Sequence, residues 1–418
     1  MRLKAGFIST RIAGTDGVSL EIDKWARILK SMDIDACYFA GELDTPPEAS
    51  YLYKKAHFMH PATLNLHKKL FGDQDRDTKT TQEIKEFAGY IKTHIYKFLR
   101  KFKPDVLIPE NCLAIPVNIP LGIALTEVIA ETNIPTIAHH HDFFWERKRF
   151  LTNCVWDYLN MSFPPHLPSI SHVVINSSGD NQLSLRTGIS ATLIPNVMDF
   201  ENPPEPQDDY TQDICKDFGI RTGEYFFLQP TRIVQRKLIE HAVELVSRLH
   251  TPTKLVITHA SGDEGNEYET RIRNYSELLR VNTAFLSDIV DDDRGTTKDG
   301  RKIYTLEDVY PHADFVTYPS VFEGFGNAFL EAIFYKKPIV VNSYSIYTTD
   351  IKPKGFRVVE FDNFVTEQTV QQVEDLLNSP AKVRKMVEHN FELGRKHFSY
   401  SVVRNKLRSI LTDHFGIG

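Results

Sequence analysis

The sequence predicts an α/β protein made of two doubly wound parallel sheets in series. Three observations carry that expectation. Short apolar runs rich in β-branched and aromatic residues alternate with longer amphipathic stretches, the pattern of parallel strands joined by crossover helices. The pattern starts over after a segment rich in proline and acids, PNVMDFENPPEPQDD at 195–209. The length of 418 residues, with 41% hydrophobic and 25% charged residues, gives room for two cores of about 200 residues each.

In the first half the strands are expected at KAGFIS (4–9), ACYFAG (36–41), DVLIPEN (105–111), PTIAHHH (135–141), HVVINSS (172–178) and ATLIPNV (191–197). The second half repeats the arrangement with YFFLQPT (225–231), KLVITHA (254–260), TAFLSDI (283–289), FVTYPS (315–320), PIVVNSY (338–344) and FRVVEFD (356–362). The boundary is expected near residue 203, with domains over 1–203 and 204–395. The last stretch, 383–411, is helical in period, and its apolar positions need a surface to cover on one domain or the other.

Composition excludes several classes. A net charge of −6 and the lack of a lysine- or arginine-rich tail argue against nucleic acid as a partner. The start, MRLKAGFIST, reads as a first strand rather than a signal peptide, and no run of 18 apolar residues occurs. Cys37, Cys112, Cys154 and Cys215 are far apart and form no CxxC pair, so a reducing, cytoplasmic compartment is expected, without a zinc site or disulfide framework.

Ligands of open α/β folds bind outside the carboxyl ends of the strands, so two such domains place the chemistry in the gap between those ends. In YPSVFEGFGNAFLEA (318–332), Glu323, Gly324, Phe325, Gly326 and Asn327 follow a strand and lead into a helix. Glycines allow close approach of backbone amides, and a helix N-terminus favours a phosphate. Glu331, in the first turns of that helix, is placed to accept hydrogen bonds from hydroxyls. A glycine turn with a solvated glutamate is the plainer reading of the same residues. In QPTRIVQRKLIEHAVELV (229–246), Arg232 and Lys237 stand near a helix start, where cations are unfavourable unless an anion is bound; a diphosphate would meet both. Near the amino end, RIAGTDGVSLEIDKWARIL (11–29) has Gly14 and Gly17 flanking an acid before a helix, without the third glycine of a dinucleotide fingerprint.

The stretch IAHHHDFFWERKR (137–149) is the most unusual. If the strand runs through it, His139 and His141 share a face and His140 points the other way. Two such histidines with Asp142 could ligate a metal, or histidine could bond a sugar hydroxyl or shuttle a proton. Arg147, Lys148 and Arg149 read as a solvated face, or as a lure for an anionic acceptor. Asp291, Asp292 and Asp293, in SDIVDDDRGTTKDG (287–300), imitate an acidic metal site but sit in a polar insertion that reads as a solvated loop.

In this order and spacing the elements resemble the retaining glycosyltransferases of family 4, over nearly the whole chain and most strongly over 225–345. The carrying motif is E-x7-E with EGFG inside it, Glu323 to Glu331, supported by Arg232 and Lys237 and by Pro195, Asn196 and Asp199 at the domain junction. The resemblance implies a GT-B fold of two Rossmann-like domains, with a final helix over 396–418 crossing back to the first domain. It implies that Glu323 contacts the donor sugar near the amides of Gly324, Phe325 and Gly326, and that Glu331 holds the ribose. Arg232 and Lys237 would neutralise the diphosphate leaving group, so that neither metal nor other cofactor is required. The family's histidine falls on His141, with His140 open, and Gly14 and Gly17 would approach phosphates or acceptor.

The implied reaction moves a hexose from a nucleotide diphosphate sugar to a hydroxyl with retention, by front-face attack. The two-carboxylate scheme of glycoside hydrolases does not transfer to Glu323 and Glu331. GDP-mannose and UDP-glucose both fit as donor, and a small soluble acceptor is preferred to a membrane lipid. The helix KEFAGYIKTHIYKFLRKFK (85–103) is basic and aromatic enough to keep the lipid acceptor open, or else it is a crossover helix burying Phe87, Ile91, Ile95 and Phe98. A nucleotide-sugar epimerase or hydrolase of the same fold, and a non-catalytic nucleotide-sugar sensor, are the rivals.

Overall fold

The computed structural model describes residues 2–14, 16–261 and 265–416, the side chain of His414 excepted. The chain divides into two compact units, one of residues 1–196 with 400–418 and the other of 197–399.

The first unit holds β1 (Leu3–Ile8), α1 (Gly17–Lys30), β2 (Ile34–Ala40), β3 (Ser50–Leu52), α2 (Pro61–Leu70), α3 (Thr78–Phe102), β4 (Val106–Pro109), α4 (Ile119–Thr132), β5 (Thr136–His140), α5 (Trp156–Ser162), β6 (Ile170–Val174), α6 (Ser177–Thr187) and β7 (Ala191–Leu193). Its seven strands are parallel, in the order β3-β2-β1-β4-β5-β6-β7. The order reverses between β1 and β4, and both strands are apolar because helices cover both faces. All six expected strands are present, and the three-residue β3 is an addition at the edge. The N-cap of α1 is Asp16, the acid of the glycine loop, whose carboxylate accepts from the Val18 and Ser19 amides. Along α3, Phe87, Ile91, Ile95 and Phe98 are buried at helical spacing, as the crossover reading expects.

The second unit holds α7 (Ile214–Asp217), β8 (Tyr225–Gln229), α8 (Ile239–Arg248), β9 (Thr253–Ile257), α9 (Glu267–Leu278), β10 (Asn282–Phe285), β11 (Gly295–Thr296), β12 (Lys302–Ile303), α10 (Leu306–Val309), β13 (Phe315–Tyr318), α11 (Asn327–Phe334), β14 (Ile339–Asn342), β15 (Val359–Phe361), α12 (Glu367–Leu377) and α13 (Pro380–Phe398). Six of its strands form a parallel sheet ordered β10-β9-β8-β13-β14-β15, the same winding with its reversal between β8 and β13. Residues 197–203, which the sequence places in the first domain, belong here. The amide of Met198 bonds the Phe398 carbonyl at 3.0 Å, and Phe200 packs against Phe334 and Phe391.

The acidic insertion is more ordered than a solvated loop. The hairpin of β11 and β12 closes it, and Arg294 donates to Asp208 (2.6 Å) and Asp308 (2.5 Å). Asp291, Asp292 and Asp293 are exposed. After α13 the chain continues into α14 (Tyr400–Ser409), which belongs to the first unit and packs on α1, burying Val403 and Leu407. No helix among the described residues is long and apolar enough to cross a membrane.

Candidate active site

Each unit carries a polar cluster at the point where its strand order reverses, the place where open α/β sheets bind ligands. In the second unit the cluster is cationic. Gln229, at the end of β8, is fully buried; its amide donates to Thr231 (2.7 Å) and its carbonyl accepts from Thr317 on β13 (2.6 Å). This bridge fixes both loops that leave the sheet. The Val321 amide then bonds the Arg236 carbonyl at 3.0 Å and ties the loops to each other. Leu238 takes a left-handed φ of 44° to start α8, a conformation unusual for leucine that turns Lys237 inward.

Lys237 is buried, with its Nζ bonded to Glu323 and 5.5 Å from the centre of the Tyr318 ring. The other oxygen of Glu323 accepts from Arg236 at 2.9 Å. Burial opposes the charge of Glu323, yet Lys237 and Arg236 outweigh it and hold the carboxyl below its ordinary range. Arg232 lies exposed at the strand end, near enough for its charge to act on Lys237 and His259. Burial, then Arg232 and Lys237, bring His259 down to about 4, so it is neutral at pH 7. Three cations face one carboxylate, a net charge of +2 that suits a dianion.

Gly326 is the N-cap of α11 with φ 125°, and a Cβ there would stand 2.3 Å from the Tyr344 hydroxyl, so only glycine fits. Gly324 and Asn327 are half-buried in the same turn, while the Phe325 ring packs on Phe398. Glu331 accepts from the Tyr310 hydroxyl at 2.8 Å. The sequence brings Glu323, Lys237 and Arg232 to one corner, but the arginine that pairs with Glu323 beside Lys237 is Arg236 rather than Arg232. Arg236 and His259 were absent from the expected set. The first sits beside Lys237 and the second at the end of a strand, a signal that topology alone makes legible.

In the first unit the cluster is anionic. Glu110, just after β4, is fully buried, and its Oε2 lies 3.0 Å from His139 Nδ1 and 3.2 Å from His141 Nε2. The Trp25 ring of α1 stacks on His139 with centroids 4.2 Å apart. Asn111, at φ 58°, accepts from the His141 amide (3.1 Å) and donates to Asp142 (2.9 Å), which sets the turn after β5. The expected alternation holds: His139 and His141 share a face, and His140 points away, bonded through Nε2 to His172 Nδ1 at 2.9 Å with both rings buried. Asp142 does not join the histidines as the sequence suggested; it pairs with Arg147, which is therefore not simply solvated. Glu110 takes that third place, and Glu110, His139 and His141 bring ligand atoms within 4.8 Å of one another, a set that could hold a metal ion. Gly14 has φ 68° and gives its amide to Asp44 at 2.7 Å, and Gly17 is the first residue of α1.

Residues 211–392 match the family described as glycosyl transferases group 1. The chain is 31% identical over 430 aligned residues to the mannosylglucosylglycerate synthase of Thermotoga maritima, across 95% of this chain and 97% of that relative. It is 33% identical over 383 residues to the mannosylglucosylglycerate synthase of Petrotoga mobilis, across 85% and 86%. A crystal structure of a glycosyltransferase from Rickettsia africae shares the fold with a TM-score of 0.71 at 13% identity, over 99% of this chain and 98% of that one. Two Rossmann-like units, each with a polar cluster at its sheet reversal, give the GT-B fold, and the family match with the similar synthases gives the class, a glycosyltransferase. The chain belongs to the glycosyl transferases group 1 family.

Proposed function

We propose that the protein transfers mannose, with retention, from GDP-mannose to a hydroxyl of a small soluble acceptor bearing a glycerate carboxylate, in the cytoplasm. The observation that carries this reading is the corner of Arg232, Arg236, Lys237 and Glu323 at the end of β8 and β13, together with similarity along almost the full length of a mannosylglucosylglycerate synthase. In this reading the diphosphate displaces Glu323 from part of its pairing. The three cations then take up the charge that develops on the leaving phosphate, with no metal assigned to that task. Glu323, released, accepts from hydroxyls of the donor sugar, and Glu331 accepts from the ribose. The amides of Gly324, Phe325 and Gly326, with Asn327, line the sugar and phosphate. In the first unit, His141, Gly14 and Gly17 are the residues assigned to substrate. UDP-glucose stays as the second donor, because nothing in the named residues reads the base.

The test is donor consumption with GDP-mannose and with UDP-glucose, each with and without glucosylglycerate, and the anomeric configuration of the product by NMR. Acceptor-dependent formation of an α-mannosyl product is expected. Turnover of the donor alone would favour an epimerase or hydrolase, binding without turnover a sensor, and a β-linked product would refute retention.

A further inference from the structure

All seven strands of the first sheet are parallel, so the loops after β1, β2 and β3 leave the same edge as the turn after β5 that carries His141. Where β1, β2 and β3 end, the backbone is fixed by its own contacts. The Ile12 amide bonds the Glu42 carbonyl at 3.0 Å, and the Asp44 amide bonds the Ile12 carbonyl at 3.2 Å. A Cβ on Gly41 would stand 2.0 Å from the His57 backbone nitrogen, so only glycine lets the turn after β3 close on the end of β2. The side-chain amide of Asn118, the N-cap of α4, holds that turn through the Lys55 (3.3 Å) and Ala56 (3.0 Å) carbonyls.

The side chains on this frame keep hydrogen-bonding capacity in reserve. Asp16 is satisfied without Arg11: its Oδ1 accepts from the Val18 and Ser19 amides and its Oδ2 from the Ser19 hydroxyl at 2.7 Å. Arg11 adds one bond to it from Nη2 at 3.0 Å, and its guanidinium carbon stands 5.5 Å from the centre of the Phe58 ring. Among the described residues its Nη1 and Nε have no partner, and a guanidinium offers five N–H donors in a fork that matches a carboxylate. His57 Nδ1 accepts from the Met59 amide at 3.0 Å, so the hydrogen of this ring is on Nε2, which lies 3.0 Å from Glu42 Oε2 but out of line for a full hydrogen bond. The Glu42 side chain is 56% exposed, and the charges of Glu42 and Arg11 both act on His57, so the three groups share one corner.

We propose that this corner binds the acceptor as an acidic sugar, with its carboxylate on Arg11 and its sugar hydroxyls on Glu42, which His57 positions. The orientation follows from charge: Glu42 repels a carboxylate but accepts the hydrogens of hydroxyls, so the two ends of the ligand sort to opposite groups. Arg11 is then the residue that selects an anionic acceptor over a neutral one. The inference rests on the proposed transfer in taking the acceptor to be such a sugar.

Calorimetric binding of glucosylglycerate and of glucosylglycerol, which carries a hydroxymethyl group in place of the carboxylate, tests this on the full chain without donor. The wild type should bind the acid about 10- to 100-fold more tightly than the neutral compound, the worth of one hydrogen-bonded charge. In Arg11→Gln the acid should weaken to the level of the neutral compound, and in Arg11→Lys part of the gap should return; Glu42→Gln should weaken both compounds alike. If Arg11→Gln does not fold, the gap in Arg11→Lys, expected to be smaller than that of the wild type, decides. A gap of wild-type size in either folded Arg11 variant, or a wild type that binds neither compound, would overturn the proposal. So would a loss of GDP binding that matches the loss of acid binding in Arg11→Lys, since a merely structural Arg11–Asp16 pair would act on both. Acid that is bound but not mannosylated strikes the proposed reaction and leaves this corner standing; acid that is mannosylated with undiminished preference in Arg11→Gln does the reverse.

Discussion

Lys237 and Glu323 show how a sequence motif becomes a site. Both were legible: one stands just ahead of an amphipathic helix, the other opens E-x7-E. Their short reach to each other depends on β8 and β13 being neighbours, and that neighbourhood is not written in any local stretch. Arg236, His259 and Glu110 were missed for the same reason, since each gains its meaning from a strand that is distant in sequence. Lys237→Ala leaves Glu323 with a single cation and removes charge from the leaving phosphate. We expect kcat/KM to fall at least about 100-fold, near 3 kcal/mol of transition-state stabilisation, for Lys237→Ala and likewise for Glu323→Ala, with circular dichroism unchanged. Near-normal turnover in either folded variant would refute the assignment. His259 gives a second test. Burial and then the Arg232 and Lys237 charges hold it at about 4; a bound diphosphate neutralises those cations, so its pKa should rise. Calorimetric titration of GDP near pH 5.5, in buffers of differing ionisation enthalpy, should show proton uptake that His259→Asn abolishes.

At the scale of elements, the turn from β13 into α11 has its glycines placed by contact as well as by conformation. The sequence indicated a glycine loop feeding a helix, but not which glycine is irreplaceable, because the Tyr344 hydroxyl that crowds Gly326 arrives from beyond β14 and bonds the Phe325 carbonyl at 2.9 Å. Gly326→Ala should cost about 2–5 kcal/mol, from the left-handed φ and the clash together. In a Tyr344→Phe background the penalty should shrink, and equal melting-temperature losses in both backgrounds would show that φ alone matters. The β5 and β6 pair is a second case. The HHH run was legible, yet the partner of His140 was not, since His172 lies on the next strand. Burial first, then the His166 charge, holds His172 at about 4, against about 6.5 in the unfolded chain. The unfolded state binds the extra proton as pH falls, so this contribution is intact above pH 6.5 and is lost between 6.5 and 4, up to about 3 kcal/mol. Urea midpoints of wild type should therefore fall more steeply from pH 7 to 4.5 than those of His172→Gln, and parallel slopes would refute it.

For the whole molecule, alternating strands and helices were enough to read two parallel sheets, because buried parallel strands are apolar along their length and crossover helices keep one apolar stripe. The boundary was less legible. Prolines at 203, 204 and 206 look like a linker, but Phe200 has already committed the chain to the second unit before they begin. The tail carries the opposite lesson: its apolar positions demanded a surface without saying which. The contacts answer that residues 400–418 complete the first unit, where Val403, Leu407, Ile410 and Leu411 are buried. Four such side chains contribute on the order of 6–12 kcal/mol by area, similar to the whole stability of a domain. A chain ended at residue 399 should thus lose the thermal transition of the first unit. The second unit, 197–399, keeps every residue of its own core, including Lys237 and Glu323, so GDP should still raise its transition in scanning calorimetry. A first-unit transition that survives the deletion, or a second-unit transition that vanishes with it, would show that the tail does not belong energetically where its contacts lie.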